Sequence, residues 1–353
     1  MERSAGPPVA WRPGGRRERP APSRRTAILG GPGNRLVTPP RSQHLQRPAL
    51  VHAVVGASGA VGGAVAAALL QSGARVRVIG RSAERLRPLV AAGGEPRIAA
   101  IEDERAMSEA LRGAAAAFLM TPPLQLTPGG LTLAGLRVLG ERLAVAVARA
   151  GVRRVVQLSG LGAHLASPPL QIALLRDQEQ ELARQGGAAE LAHLRPGFFM
   201  ENLLELAAPA RSLGVLPYTL APELPVPMVA TRDVAAVAAG LLLAAAPWSA
   251  TAIDLVGPRD RTMNEVARIL GGAVGRPTLA YLRLGDDQVE RSLLQAGVAQ
   301  ELVASALELN RFINGGHFRA ASDSPPRHLT PTALEDFAPA LADAFRRAAP
   351  RAP

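Results

Sequence analysis

The 353-residue chain contains no cysteine and no lysine. Without thiols there is neither a disulfide framework nor thiolate chemistry, and a reducing, cytoplasmic setting is expected. Without lysine, all 40 basic side chains counted with arginine are arginine. No ammonium can then lower the pKa of a neighbouring phenol. Aromatic residues make up only 3% of the chain, and the two tyrosines are Tyr218 and Tyr281. The six histidines show no metal-ligand spacing, so no metal is expected.

The formal charge is +11, but it is unevenly placed. Residues 1–50 hold ten Arg and two Glu, and the remainder holds 30 Arg against 27 acids. The folded part is nearly balanced, so no nucleic-acid partner is expected. Residues 1–48 are rich in Pro, Arg and Gly without periodicity and read as a disordered tail. The rival readings are an Arg-rich transit peptide and a start codon assigned too far upstream. Gly30–Gly33 lacks a flanking strand or helix and marks no binding turn. Two apolar stretches, Ala49–Leu70 and Val234–Ile253, have the length of membrane spans. The first carries His52 and several glycines and the second Pro247, so a buried α/β core explains both better, and no membrane partner is expected.

The most informative segment reads VHAVVGASGAVGGAVAAALLQSGARVRVIGRS. An apolar run, Leu50–Val55, ends in Gly56, Gly59 and Gly62; an Ala-rich helix and a second strand, Arg75–Gly80, follow. In a strand–turn–helix unit of this kind the first glycine permits a tight turn. The second lets backbone approach a pyrophosphate, and the third lets helix and strand pack closely. The strand-2 tip reads Ile79-Gly80-Arg81-Ser82. An acid there would bind a ribose hydroxyl. A guanidinium and a hydroxyl suit a 2′-phosphate, so NADP(H) is expected over NAD(H).

Strands are further expected at Arg97–Ile101, Ala114–Met120, Val155–Ser159, Leu191–Arg195 and Ala252–Val256. Helices are expected at Ala83–Ala91, Glu104–Leu111, Leu131–Ala150, Leu170–Arg184, Asp233–Leu243 and Thr262–Leu270, with Asp233 capping its own helix. The first six strands should form one parallel sheet covered on both faces: α/β, doubly wound and Rossmann-type. Residues 280–346 read as strand-poor. The expected domain spans 49–347, with a smaller, mostly helical cap over about 200–347.

Several blocks carry a family resemblance: GASGAVG at 56–62, VRVIGRS at 76–82, FLMTPP at 118–123, GVRRVVQLSGLGA at 151–163, LRPGFFMENLL at 194–204, TRDVAAVAA at 231–239 and TPTALEDFA at 330–338. From Leu50 to about Phe345 the chain resembles the NmrA-like family of atypical short-chain dehydrogenases/reductases. The resemblance implies cofactor contacts from the turn Gly56, Ala57, Ser58, Gly59, Ala60, Val61 and Gly62, from Arg81 and Ser82, from Met120, Thr121 and Pro122, and from Ser159. It places nicotinamide and substrate near Pro196, Gly197, Phe198, Phe199 and Asn202. Phe198, Phe199 and Met200 have a rival reading as cap core, and Glu201 and Asn202 as a helix start. Many relatives carry an adenine-contacting acid after the third strand, where Ala100 stands here.

Typical short-chain dehydrogenases activate a Tyr with a Lys four residues on. The helix after Ser159 reads LQIALLRDQEQEL, with neither. That alcohol-dehydrogenase mechanism is excluded by composition, and an epimerase-like use of a held cofactor is weakened for the same reason. The expected activity is hydride transfer from NADPH to a small electron-poor substrate: a quinone, azo compound, enone or imine. Ser159 would orient a carbonyl. His164 is a candidate proton donor or a surface loop residue, and His193 reads as structural. The family also includes dinucleotide sensors, so the alternative is a non-enzymatic NADP(H)-sensing regulator that binds a protein partner. A homo-oligomer also stays open.

Overall fold

The fold is seen in a computed structural model that describes residues 50–124, 131–185, 190–248, 252–320 and 327–348. The expected tail, residues 1–48, lies outside them. The valine-rich β1 (Val51–Val55) leads through the glycine turn into the Ala-rich α1 (Ala60–Gln71). Next come β2 (Arg75–Gly80), α2 (Ala83–Ala91), β3 (Glu95–Ile98), α3 (Glu104–Leu111) and β4 (Ala116–Leu119). Ser82 and Asp103 accept from backbone N–H groups in the first turns of α2 and α3 and so fix both helix starts. α4 (Leu133–Ala150) opens on Thr132 and stops at Gly151, whose φ of 68° is a left-handed cap that favours glycine. β5 (Arg154–Leu158), α5 (Leu170–Arg184) and β6 (Glu190–Pro196) complete this half.

The chain then crosses into β7 (Phe198–Phe199), a 3₁₀ turn (Met200–Leu206), α6 (Ala207–Leu213), β8 (Val215–Tyr218) and β9 (Met228–Val229). α7 (Thr231–Leu243), β10 (Ala252–Val256), α8 (Met263–Ala273), β11 (Ala280–Arg283), α9 (Asp286–Gln295), α10 (Gln300–Asn314), β12 (Arg327–Leu329) and α11 (Leu334–Arg347) follow.

Eight strands form one sheet in the order β12-β10-β6-β5-β4-β1-β2-β3, and every neighbouring pair is parallel. The strand alternation sorts apolar residues to two sides. Val54, Val78, Val156 and Leu194 pack with α1 and α7, while Ala53, Val55, Ile79 and Val155 pack with α3 and α4. A separate core of Phe198, Met200, Leu216, Met263, Leu270, Phe337 and Leu341 holds the cap together. The chain winds outward from β1 to β3, then returns to β4 on the other side of β1. That reversal opens a crevice at the carboxyl ends of β1 and β4, the usual ligand position in such sheets.

Several expected boundaries shift. The third strand is Glu95–Ile98 rather than Arg97–Ile101: its last ladder bond runs from Ala99 N–H to the Gly80 carbonyl, and the chain then turns where Asp103 N–H donates to the Ala100 carbonyl. α7 starts at Thr231, not Asp233. Asp233 does not cap it: its carboxylate accepts from Thr332 N–H (2.9 Å) and Thr332 Oγ1 (2.8 Å). The Glu201 carboxylate instead accepts from Thr231 N–H at 3.0 and 3.1 Å. The expected strand-poor stretch contains β11, which pairs with β8, and β12, which extends the main sheet beside β10. Among the described residues no helix is long and apolar enough to cross a membrane.

Candidate functional site

The crevice contains a cavity of about 240 Å³. Gly56, Ser58 and Gly59 line it from the β1 turn, and Met120, Thr121 and Pro122 from the end of the neighbouring β4. Gly56 has φ 75°, and a Cβ built on it would lie 2.8 Å from Met120 Cγ, so the turn requires glycine twice over. Helix α1 begins at the cavity with no side-chain cap and no acid in its first turn. Its free N–H groups and positive dipole end suit an anion.

Arg81, at the tip of β2, also lines the cavity. Arg85 stands beside it and was not anticipated. Its Nη2 donates to the Ser58 carbonyl at 3.1 Å and ties α2 to the glycine turn. Arg85 lies in the first turn of α2, just after the Ser82 cap, which brings it to the β2 tip. Ala99, Ile101 and Met107 add an apolar side, and Glu102 a carboxylate. Glu102 stands two residues beyond Ala100, in the turn after β3, and was not singled out from the sequence.

Other expected cofactor residues serve the turn from outside the cavity. Ala57 and Val61 are buried in the core, Ala60 is exposed, and Ser82 caps α2. A Cβ on Gly62 would meet the Gly56 carbonyl oxygen at 2.4 Å, so Gly62 sets how closely α1 packs on the turn.

Ser159 sits at the end of β5 and is buried, but its hydroxyl is already committed. It donates to Glu179 Oε1 at 2.5 Å. Arg195 Nε donates to the same oxygen at 2.9 Å and Nη2 to Oε2 at 2.5 Å, so Glu179 is a carboxylate held in a fork. In this arrangement Ser159 has lone pairs to offer but no proton for a carbonyl, which corrects the expected orienting role. Burial would lower the Arg195 pKa, but the Glu179 hydrogen bond and charge, with Asp254, raise it overall.

His193 lies on the same face of β6. Its Nδ1 meets Gln157 Oε1 at 2.5 Å, while Gln157 Nε2 donates to Gln178. Gln157 Oε1 is therefore the acceptor and His193 Nδ1–H the donor. Burial pushes the His193 pKa down, the Glu179 charge partly restores it and Arg195 lowers it again. Burial also lowers His52. Both histidines hold a proton less readily in the fold than in the unfolded chain, which takes it up below about pH 6.5. Their contribution is complete above that pH and is lost as the pH falls through it. The melting temperature should therefore drop between pH 7 and pH 5, and His193→Gln should flatten the drop in a calorimetric pH series. An unchanged slope would contradict the assignment.

Neither tyrosine can act as an acid near the crevice. Both belong to the cap; burial pushes the Tyr218 phenol up to about 12 and raises Tyr281, whose hydroxyl donates to Leu220 O at 2.6 Å.

The expected substrate segment is mainly a structural crossing. A Cβ on Gly197 would lie 2.5 Å from the Pro227 carbonyl oxygen, and Phe198 N–H donates to that oxygen at 2.8 Å. Phe198 is buried edge-on against Tyr218 at 6.0 Å, so the cap-core reading holds for it. Phe199 is half-buried against the α1/α7 core, Pro196 is buried as the last residue of β6, and Asn202 is exposed. His164 lines a second cavity, of about 540 Å³, with Ser167, Phe312, His317 and Arg319. Among the described residues no His, Asp or Glu cluster could hold a metal ion.

The parallel eight-stranded sheet, its reversal beside β1 and the glycine turn at that point define a Rossmann-type α/β protein. The chain belongs to the NmrA-like family, whose model matches residues 51–338. Its fold is similar to that of triphenylmethane reductase from Citrobacter sp., with a TM-score of 0.67 and 18% identity over 83% of this chain and 99% of that one. It is also similar to an NADPH-dependent quinone oxidoreductase from Escherichia coli complexed with NADPH (TM-score 0.66, 22% identity, 83% and 99% covered). A nucleoside-diphosphate-sugar epimerase from Staphylococcus aureus gives a TM-score of 0.65 at 15% identity, covering 82% and 99%. No curated protein sequence matches the chain.

Proposed function

We propose that the protein is an NADPH-dependent reductase of a small, flat, electron-poor compound such as a quinone, azo compound, enone or imine. The observation that carries this reading is the crevice cavity, lined by the glycine turn together with two arginines, Arg81 and Arg85. The fit is chemical as well as spatial. Gly56 and Gly59 leave backbone exposed to a pyrophosphate, and the arginines match a 2′-phosphate. Ala99, Ile101 and Met107 form an apolar slot for a base, with the Glu102 carboxylate suited to an exocyclic amine. A bound reduced nicotinamide supplies a hydride.

The chain's own contribution is then positioning and water exclusion. Met120, Thr121 and Pro122 hold the crevice on the β4 side. No Tyr or Lys stands on α5 and Ser159 has no proton to give, so the acceptor takes its proton from water. This suits quinones and azo compounds, whose reduced anions are stable. The same absence favours the second reading, an NADP(H)-sensing regulator with a protein partner.

One experiment tests both. NADPH and NADH are titrated against the pure protein and its Arg81→Ala variant, and NADPH oxidation is then followed on a panel of quinones, azo dyes, enones and imines. NADPH should bind more tightly. A lost charge-assisted phosphate contact of about 1.5–3 kcal/mol should cut that preference roughly tenfold or more. Equal affinities in the unmutated protein would refute the cofactor preference. Tight NADPH binding without turnover on any acceptor would transfer the case to the regulator.

A further inference from the structure

The second cavity, of about 540 Å³, has the size of a small-molecule site. It lies between the segment that follows β5 and the end of α10 with the turn beyond it. Its walls are fixed from behind. Arg176 Nη1 donates to the carbonyls of Leu165 (3.3 Å) and Ala166 (2.8 Å). Glu308 of α10 accepts from Leu170 N–H at 3.1 Å, fastening α10 to the start of α5. Gly162 has φ 94°, and a Cβ on it would touch Phe312 at 3.5 Å, so the loop and α10 meet in close contact.

The lining has one electrostatic character. It presents the Arg319 guanidinium, the imidazoles of His164 and His317 and the Ser167 hydroxyl, and no carboxylate among its described residues. The Phe312 and His317 rings stand 5.6 Å apart, tilted by 35°, and offer a flat ring an aromatic surface to lie on. Guanidinium matches planar or tetrahedral oxyanions through paired N–H donors, and its charge is permanent.

We propose that this cavity binds an aromatic ring carrying a carboxylate or sulfonate group. As the acceptor pocket of a reductase it rests on the function proposed above; as a site for an aryl anion it stands on its own residues. The geometry places it after β5, on the carboxyl edge of the sheet that also carries the dinucleotide crevice.

The test is calorimetric titration of the full-length protein with naphthalene-2-sulfonate and with its uncharged isostere, naphthalene-2-sulfonamide. Saturable one-to-one binding is expected, with the sulfonate favoured about tenfold, the size of one charge-assisted contact at an exposed guanidinium. Arg319→Gln should abolish the preference, and Phe312→Ala should weaken both ligands. NADPH affinity should be unchanged in each variant, which shows that the variant is folded. Equal affinity for the two compounds, or a preference that survives Arg319→Gln, would overturn the proposal.

A kinetic arm separates it from the reductase reading, using 1,2-naphthoquinone-4-sulfonate against 1,2-naphthoquinone. Selective binding without NADPH oxidation keeps the cavity and removes the reductase. Turnover of both quinones with no dependence on Arg319 keeps the reductase and removes the cavity as its acceptor pocket.

Discussion

Replacing Glu179 by alanine is expected to lower the unfolding free energy by about 3–5 kcal/mol, because it leaves a buried guanidinium without its partner. The Arg195 and Glu179 side chains retain only 10% and 7% of their exposure, and the fork between them is the main compensation for burying either charge. Asp254 lies opposite Arg195 across the β6–β10 ladder and will recover part of the loss, so the low end of that range is expected. Ser159 loses its acceptor in the same variant. Urea unfolding monitored by circular dichroism measures the effect. The double variant Glu179→Met with Arg195→Met should regain most of the stability, since an apolar pair of similar size carries no desolvation penalty. A single variant that unfolds within about 1 kcal/mol of the parent, the worth of an ordinary hydrogen bond, would show that the fork is not a buried ion pair in solution.

The second large effect is expected at Gly62. A valine there drives its Cβ to within 2.4 Å of the Gly56 carbonyl oxygen and 2.7 Å of the Gly56 carbonyl carbon. These are backbone atoms of the binding turn, so the turn must move. Overpacking of this kind costs about 1–3 kcal/mol of stability. Displacement of the turn should also remove one or two backbone contacts to a pyrophosphate. At about 1.5–3 kcal/mol each, NADPH affinity should fall by roughly ten- to a hundredfold or more. Gly272→Ala is the control: it lies in α8 with open space around it, and helix propensity predicts a neutral or slightly stabilising change. Fluorescence titration and thermal melting separate the two consequences. Unchanged NADPH affinity in Gly62→Val would mean that the turn does not hold the nucleotide.

Much of this protein was legible in the sequence alone. The strand–glycine–helix–strand unit was readable because its signals are local: a valine run, three spaced glycines and an alanine run fix β1, the turn and α1 whatever surrounds them. The helix bounds of α2, α3 and α5 were readable for the same reason. The lack of lysine and the positions of the two tyrosines excluded one proton-transfer chemistry by composition.

Only the tertiary structure decided the rest. Which acid reaches the crevice depends on the turn after β3, closed by Asp103 N–H on the Ala100 carbonyl, in which Glu102 lines the cavity. Asp233 looked like a cap because caps are local, yet its partner, Thr332, is 99 residues away. Phe198 could line a pocket or fill a core until Tyr218 and the β7–β9 pairing placed it. The proton of Ser159 was assigned by Glu179 and Arg195, which β6 and α5 bring together from 16 residues apart. Sequence fixes what a segment can form by itself. Burial, pairing and the direction of a buried hydrogen bond are properties of segments that meet only after folding.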